Sequence, residues 1–242
     1  RYRGPMRVLV VNPNTSAAMT AAIAQELASI KRPDAEVDVV KLSEGPEVIE
    51  SAYDESRAVP ELLRLVRRAP EQGYDAVVIA CFSDPGLDAA RELVDIPVVG
   101  IQEASMYLAA MLGSAFGVLT TLERRVPARR RYAEALGLGG KLAATPVLDL
   151  PVAETVDSLG RMKEIALARA REALDQGAEV LILGCAGLGD WAGELQRLLG
   201  VPVISPNAAG LKVAELLADL KLSHSKLRSF QPPRRVDDPE PR

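Results

Sequence analysis

A duplication constrains this chain more than any other feature. Glu71-Gln72-Gly73 leads through an apolar run to Ala80-Cys81, and Asp175-Gln176-Gly177 leads through another to Gly184-Cys185. Gln72 and Gln176 stand 104 residues apart, and so do Cys81 and Cys185. Each run continues into a short helical stretch and a Pro-led strand, Ile96-Pro97-Val98-Val99 or Val201-Pro202-Val203-Ile204. The copies also open alike, one with Val8-Leu9-Val10-Val11-Asn12 and the other with Gly117-Val118-Leu119-Thr120-Thr121. Such a chain is expected to fold as two similar units, with its 2 cysteines on equivalent residues.

Strands are expected at 7–11, 37–42, 76–80, 98–101, 116–120, 143–148, 180–183 and 203–205. They are rich in Val, Leu and Ile with little alternation, as in parallel strands buried on both faces. Helices are expected at 16–29, 55–68, 84–94, 102–112, 123–136, 158–176, 190–199 and 207–220. Strands alternating with helices give an α/β fold. It consists of two pseudo-symmetric flavodoxin-like halves, each a mainly parallel sheet flanked by helices, with a cleft between them. The first half takes 6–100 together with 206–222, and the second takes 101–205. The polar tail 223–242, with Pro232-Pro233, Pro239 and Pro241, reads as a disordered extension.

Composition removes several function classes. A net charge of -4 argues against a nucleic-acid partner. No apolar stretch reaches the roughly 20 residues of a membrane helix, and no signal-peptide core follows Arg1-Tyr2-Arg3-Gly4-Pro5. Two cysteines make no disulfide scaffold, so a cytoplasmic protein with reduced thiols is expected. The single histidine, His224, borders the tail, which leaves no Ser/His/Asp triad and no His-rich metal site. Arg124-Arg125 and Arg129-Arg130-Arg131 read as a solvated basic face that could draw in anions. An exposed helix face in an Ala/Leu-rich chain makes a homo-oligomer the expected state.

Cys81 follows Val77-Val78-Ile79-Ala80 and Cys185 follows Leu181-Ile182-Leu183-Gly184. Each therefore sits at the carboxyl end of a buried strand, the edge where open α/β sheets bind ligands. After Cys81 come Phe82 and Ser83, then Asp84-Pro85, a good N-cap and first helical residue. A helix starting there would favour a thiolate. After Cys185, the small Ala186 and Gly187 let backbone N–H groups approach a ligand. A buried, inert cysteine is the competing reading for either thiol alone; their paired placement is what argues for function.

Other groups converge on the same edge. Asn14, Thr15 and Ser16 end the first strand as an amide or anion cradle, or simply as a well-capped helix. Thr120 and Thr121 match them in the second half. Glu50, Ser51 and Tyr53 lie on the loop after the second strand, within reach of a ligand or in a plain solvated connection.

These segments resemble the aspartate/glutamate/hydantoin racemase superfamily, and within it the hydantoin and allantoin racemases. The resemblance rests on Asn12-Pro13-Asn14-Thr15-Ser16, Gly45-Pro46 with Ile49-Glu50-Ser51, Ala80-Cys81-Phe82, Gly86-Leu87-Asp88-Ala89-Ala90-Arg91, Thr120-Thr121 and Gly184-Cys185-Ala186-Gly187. It spans about 6–220. It implies a small-molecule substrate held between the halves and an isomerase that uses neither metal nor other cofactor. Cys81 and Cys185 would be the two acid/base thiols, on opposite faces of the stereocentre. Two departures concern the substrate: hydantoin members usually carry an acidic residue at the place of Ser205, and Asp84-Pro85 differs from the commoner pattern. The Thr-His pair usual after the second cysteine of amino-acid racemases is Ala186-Gly187 here, which disfavours that activity. The related decarboxylases tend to keep only one of the two cysteines. A two-lobed ligand-binding or thiol-redox protein is the reading from another class.

Overall fold

Uninterrupted runs of Val, Leu and Ile produce strands that are covered on both faces, and helices supply the covers. The computed structural model describes residues 4–152 and 161–234. Strands β1 (Met6–Asn12), β2 (Ala35–Lys41), β3 (Ala76–Ile79) and β4 (Val98–Gly100) form one sheet in the order β2-β1-β3-β4. Strands β5 (Phe116–Leu119), β6 (Leu142–Ala144), β7 (Val180–Leu183) and β8 (Val203–Ile204) form the second in the order β6-β5-β7-β8. Every strand pairing is parallel, and the second sheet repeats the order of the first. In this order the chain steps to one side of β1 and then crosses to the other. The β1/β3 gap, like the β5/β7 gap, is therefore a topological switch point, where the strand ends diverge and leave a crevice.

The helices are α1 (Ala17–Ile30), α2 (Ala52–Arg68), α3 (Leu87–Leu93), α4 (Ile101–Leu112), α5 (Val126–Ala135), α6 (Arg161–Asp175), α7 (Ala192–Leu199) and α8 (Pro206–Asp219). Helix α8 returns to the first sheet, packing on β3, β1, β4 and α4. One apolar cluster runs from Val8, Val10 and Val78 through Met106 to Val118 and Ile182, so the two sheets share a core. The other face of the first sheet, Leu9, Val11, Val77 and Ile79, packs separately against Leu62, Val66 and Leu87 of α2 and α3. No described helix is long and apolar enough to cross a membrane.

Several boundaries differ from the sequence reading. Ile101 opens α4 instead of ending β4. The strand expected over 143–148 narrows to β6, with a single further bridge between Val147 and Thr120. Pro146 lies in that stretch, and a proline has no N–H to donate to the ladder. The helix expected at 158–176 is seen as α6, its first expected turn lying outside the described residues. The tail is held over its first residues. His224 Nε2 accepts from the Val98 N–H at 2.9 Å, and Lys226 Nζ donates to the carbonyls of Arg91 and Val94. A disordered extension from Ser223 therefore does not describe 224–226, while 235–242 lie outside the described residues.

Asp84 does not start a helix after Cys81. Helix α3 begins at Leu87 behind Gly86, which adopts φ 67° and offers no side-chain cap. The Asp84 carboxylate points instead at the start of α4, accepting from the Gln102 and Glu103 N–H groups at 3.0 and 2.8 Å, and from the Tyr132 hydroxyl at 2.7 Å. The chain reaches this geometry through a left-handed turn, φ 47° at Asp84. A side chain at Gly100 would strike the carboxyl group. Burial lifts the Asp84 carboxyl to about 6, against the pull of these hydrogen bonds. Asp84→Ala orphans two N–H groups at a helix start and is expected to cost about 2 kcal/mol, read as a lower urea midpoint at unchanged slope.

Candidate active site

Both cysteines open into one cleft at the carboxyl ends of the two sheets. Its walls include Asn12 and Asn14 from the end of β1, Ala80, Cys81, Phe82 and Ser83 after β3, Thr121 after β5, and Gly184, Cys185 and Ala186 after β7. All four strands that flank the two switch points thus contribute. The residue before each thiol is tied to the neighbouring strand in the same way. Ala80 N–H donates to Val11 O, and Gly184 N–H donates to Leu119 O, both at 2.8 Å. Gly184 cannot be larger, because a Cβ there would collide with the Leu119 carbonyl oxygen. Neither sulfur is in a disulfide; Cys185 is buried and Cys81 partly so.

Each thiol loop is gripped from elsewhere in the fold. On the Cys81 side, Arg129 donates to the Phe82 carbonyl and stacks on the Phe82 ring at 4.9 Å, while Tyr132 holds Asp84. Both come from α5. On the Cys185 side, Asn207 at the start of α8 donates 2.8 Å to Ala186 O and 2.7 Å to Glu26 of α1. Two further links cross between the halves. Arg125 pairs with Glu55, and Glu50 Oε1 accepts the Val152 N–H at 2.8 Å. Ile49 and Val152 close the cleft beside that last contact.

The remaining sequence candidates separate into two groups. Asn14, Phe82, Ser83, Thr121 and Ala186 line the cleft with the cysteines. Thr15, Ser16, Glu50, Ser51, Thr120 and Gly187 do not. Ser16 and Ser51 cap α1 and α2, and Thr15 N–H donates to Pro46 O. Thr120 is fully buried with its hydroxyl on Val118 O. Tyr53 is exposed and stacks with Arg57. The Asn-Pro-Asn-Thr-Ser segment is therefore chiefly a cap, and its cleft-facing members are Asn12 and Asn14.

Sequence reasoning missed Asn12, Arg125 and Arg129. Arg124, Arg130 and Arg131 form the solvated face expected of the basic run, but Arg125 and Arg129 are buried at the cleft. Their spacing was the available signal. Arg125, Arg129 and Ala133 fall four apart, the period of one helix face, and that face turns inward.

The thiol is not activated as expected. Burial in the cleft pushes Cys81 up to about 11; the Ser83 hydroxyl 3.4 Å from its sulfur and the nearby Arg129 only partly offset this. The helix start that was to favour a thiolate begins six residues later, at Leu87. The same burial lowers Arg129 to about 10, which leaves it cationic at neutral pH.

Residues 8–214 match the family model described as Asp/Glu/Hydantoin racemase. The chain belongs to that family. It is 38% identical over 233 residues to a hydantoin racemase of Pseudomonas sp. (strain NS671), covering 96% of this chain and 94% of that protein. Among solved structures, allantoin racemase from Klebsiella pneumoniae is 39% identical with TM-score 0.92, covering 96% of this chain and 95% of that one. Allantoin racemase from Pseudomonas fluorescens is 32% identical with TM-score 0.91, covering 96% and 99%. Similarity to these named racemases along nearly the whole chain makes it an isomerase. The structure also gives the Ser205 departure a physical reading. Ser205 donates to the partly buried Glu26 carboxyl of α1, which sets an acidic group beside this position.

Proposed function

We propose that this racemase inverts the stereocentre of 5-substituted hydantoins, allantoin among them, by proton transfer between Cys81 and Cys185. The observation that carries the reading is the pair of thiols at equivalent strand ends of two repeated sheets, both facing one cleft. The hydantoin and allantoin racemases named above, similar along nearly their whole length, support the substrate class.

The chemistry is a balanced exchange. One cysteine, as thiolate, takes the proton from the carbon beside the carbonyl, and the C–H electron pair moves onto the carbonyl oxygen. The opposite cysteine, as thiol, returns a proton to the other face while the enolate collapses. The product is the mirror image, with thiol and thiolate interchanged and nothing oxidised or reduced. A cyclic ureide is more acidic at this carbon than a free amino acid, which suits a site whose thiol is not strongly activated.

A polarimetric panel checks the substrate class. Single enantiomers of 5-substituted hydantoins and of allantoin are expected to lose their rotation completely, and aspartate and glutamate to keep theirs. Inversion of the amino acids with hydantoins untouched would place the activity in the other branch of the family.

A further inference from the structure

Beyond the two thiols, the cleft wall carries two polar atoms that the fold leaves without a partner among the described residues. One is an acceptor, Asn12 Oδ1, and the other a donor, the Arg129 Nε–H. Both residues line the cleft, and both are buried, Asn12 at 0% and Arg129 at 4% exposure. Other atoms of both side chains are already engaged. Asn12 Nδ2 donates to Asn14 Oδ1 at 2.8 Å and to Thr20 Oγ1 at 3.0 Å, which fixes Oδ1 as the unused atom. Arg129 Nη1 donates to the Phe82 carbonyl and to Gln102 Oε1, and the guanidinium lies over the Phe82 ring. Buried polar atoms are paired in nearly all folded proteins, so an orphan on a residue that lines a cleft points to a ligand.

We infer that Asn12 and Arg129 bind the amide edge of the substrate, the acceptor taking a ring N–H and the cation taking a carbonyl oxygen. This rests on the cyclic-ureide reading above and deepens it. A cyclic ureide presents N–H donors and carbonyl acceptors side by side, whereas a free amino acid brings an ammonium and a carboxylate. Arg125, the other buried cation of the cleft, is already paired with Glu55 across the halves. Arg129 is therefore the cation placed to stabilise charge as it develops on the carbonyl oxygen, with its guanidinium held before the substrate arrives.

Binding and turnover separate the two claims. The probe is 5,5-dimethylhydantoin, which has no proton to exchange, together with its N-methylated derivatives, titrated calorimetrically. Wild type is expected to bind the parent compound and to lose about tenfold or more when the ring nitrogen facing Asn12 is methylated. Asn12→Ser is expected to bind parent and methylated compounds equally. Arg129→Gln is expected to weaken binding about tenfold and to lower kcat for a racemisable hydantoin about 100-fold, with Arg129→Lys recovering part of both. Indifference of wild type to methylation at every ring nitrogen overturns the assignment, and that arm needs no variant to fold. So does Arg129→Gln if folded and unchanged within about threefold. Binding without racemisation would leave this inference standing and remove the two-thiol mechanism. Racemisation with no binding of the probe would do the reverse.

Discussion

Cys81→Ser and Cys185→Ser are each expected to lower racemisation of a 5-substituted hydantoin by about a thousandfold, the scale of losing a positioned acid/base group. Serine keeps the shape of the thiol and gives up its acidity. Both positions follow strands whose backbone hydrogen bonds to Val11 and Leu119 do not involve the side chain, so both variants are expected to fold. Circular dichroism and the thermal midpoint check the fold, and polarimetry reads the loss. The two losses should be similar, because inversion in either direction uses one thiol as base and the other as acid. A large loss in one variant with full activity in the other would mean that a single thiol suffices.

The second large effect is on pH. The isolated Cys81 is read most simply in Cys185→Ser, where it is the only thiol left to act as base. With its thiol pushed up to about 11, the reactive thiolate is the minor form at neutral pH and grows about tenfold for each pH unit. Exchange of the α-proton for deuterium in this variant is therefore expected to rise with slope about 1 in log rate from pH 7 to 9, with no plateau below about 10. The sign follows from the cause. Burial penalises the charged form, so activity is gained as pH rises and lost as it falls. A plateau near pH 8 would mean that the cleft supplies a thiolate more strongly than its walls and Arg129 account for.

The repeat, the parallel sheets and the two strand-end cysteines were legible because each is local in sequence. Apolar runs such as Val77-Val78-Ile79 name their own strands, and the Gly- and Pro-led boundaries recur in both copies. What stayed hidden depends on contacts between distant segments. Asp84 has the right residue type for a cap, yet it caps α4 and not α3, because the left-handed turn at Asp84 swings its carboxylate across the sheet edge. Arg129 reads as one member of a surface run until α5 is seen to dock on the Phe82 carbonyl. Glu26 lies in the middle of an ordinary helix, and only the packing of α8 brings Ser205 and Asn207 to it. The raised Cys81 thiol has the same origin. The sequence suggests a helix start beside the thiol that the fold does not place there, while the cleft around it is walled by Ile49, Phe82 and Val152 from three separate segments.

Opposed action of the two thiols is the centre of the account, and deuterium incorporation from single enantiomers in D₂O, followed by proton NMR, tests it most directly. Wild type should label both enantiomers as it interconverts them. Cys81→Ser should exchange the α-proton of one enantiomer with retention, and Cys185→Ser should exchange that of the other. Exchange of the same enantiomer by both variants, or undiminished racemisation by either, would contradict a mechanism in which Cys81 and Cys185 serve opposite faces.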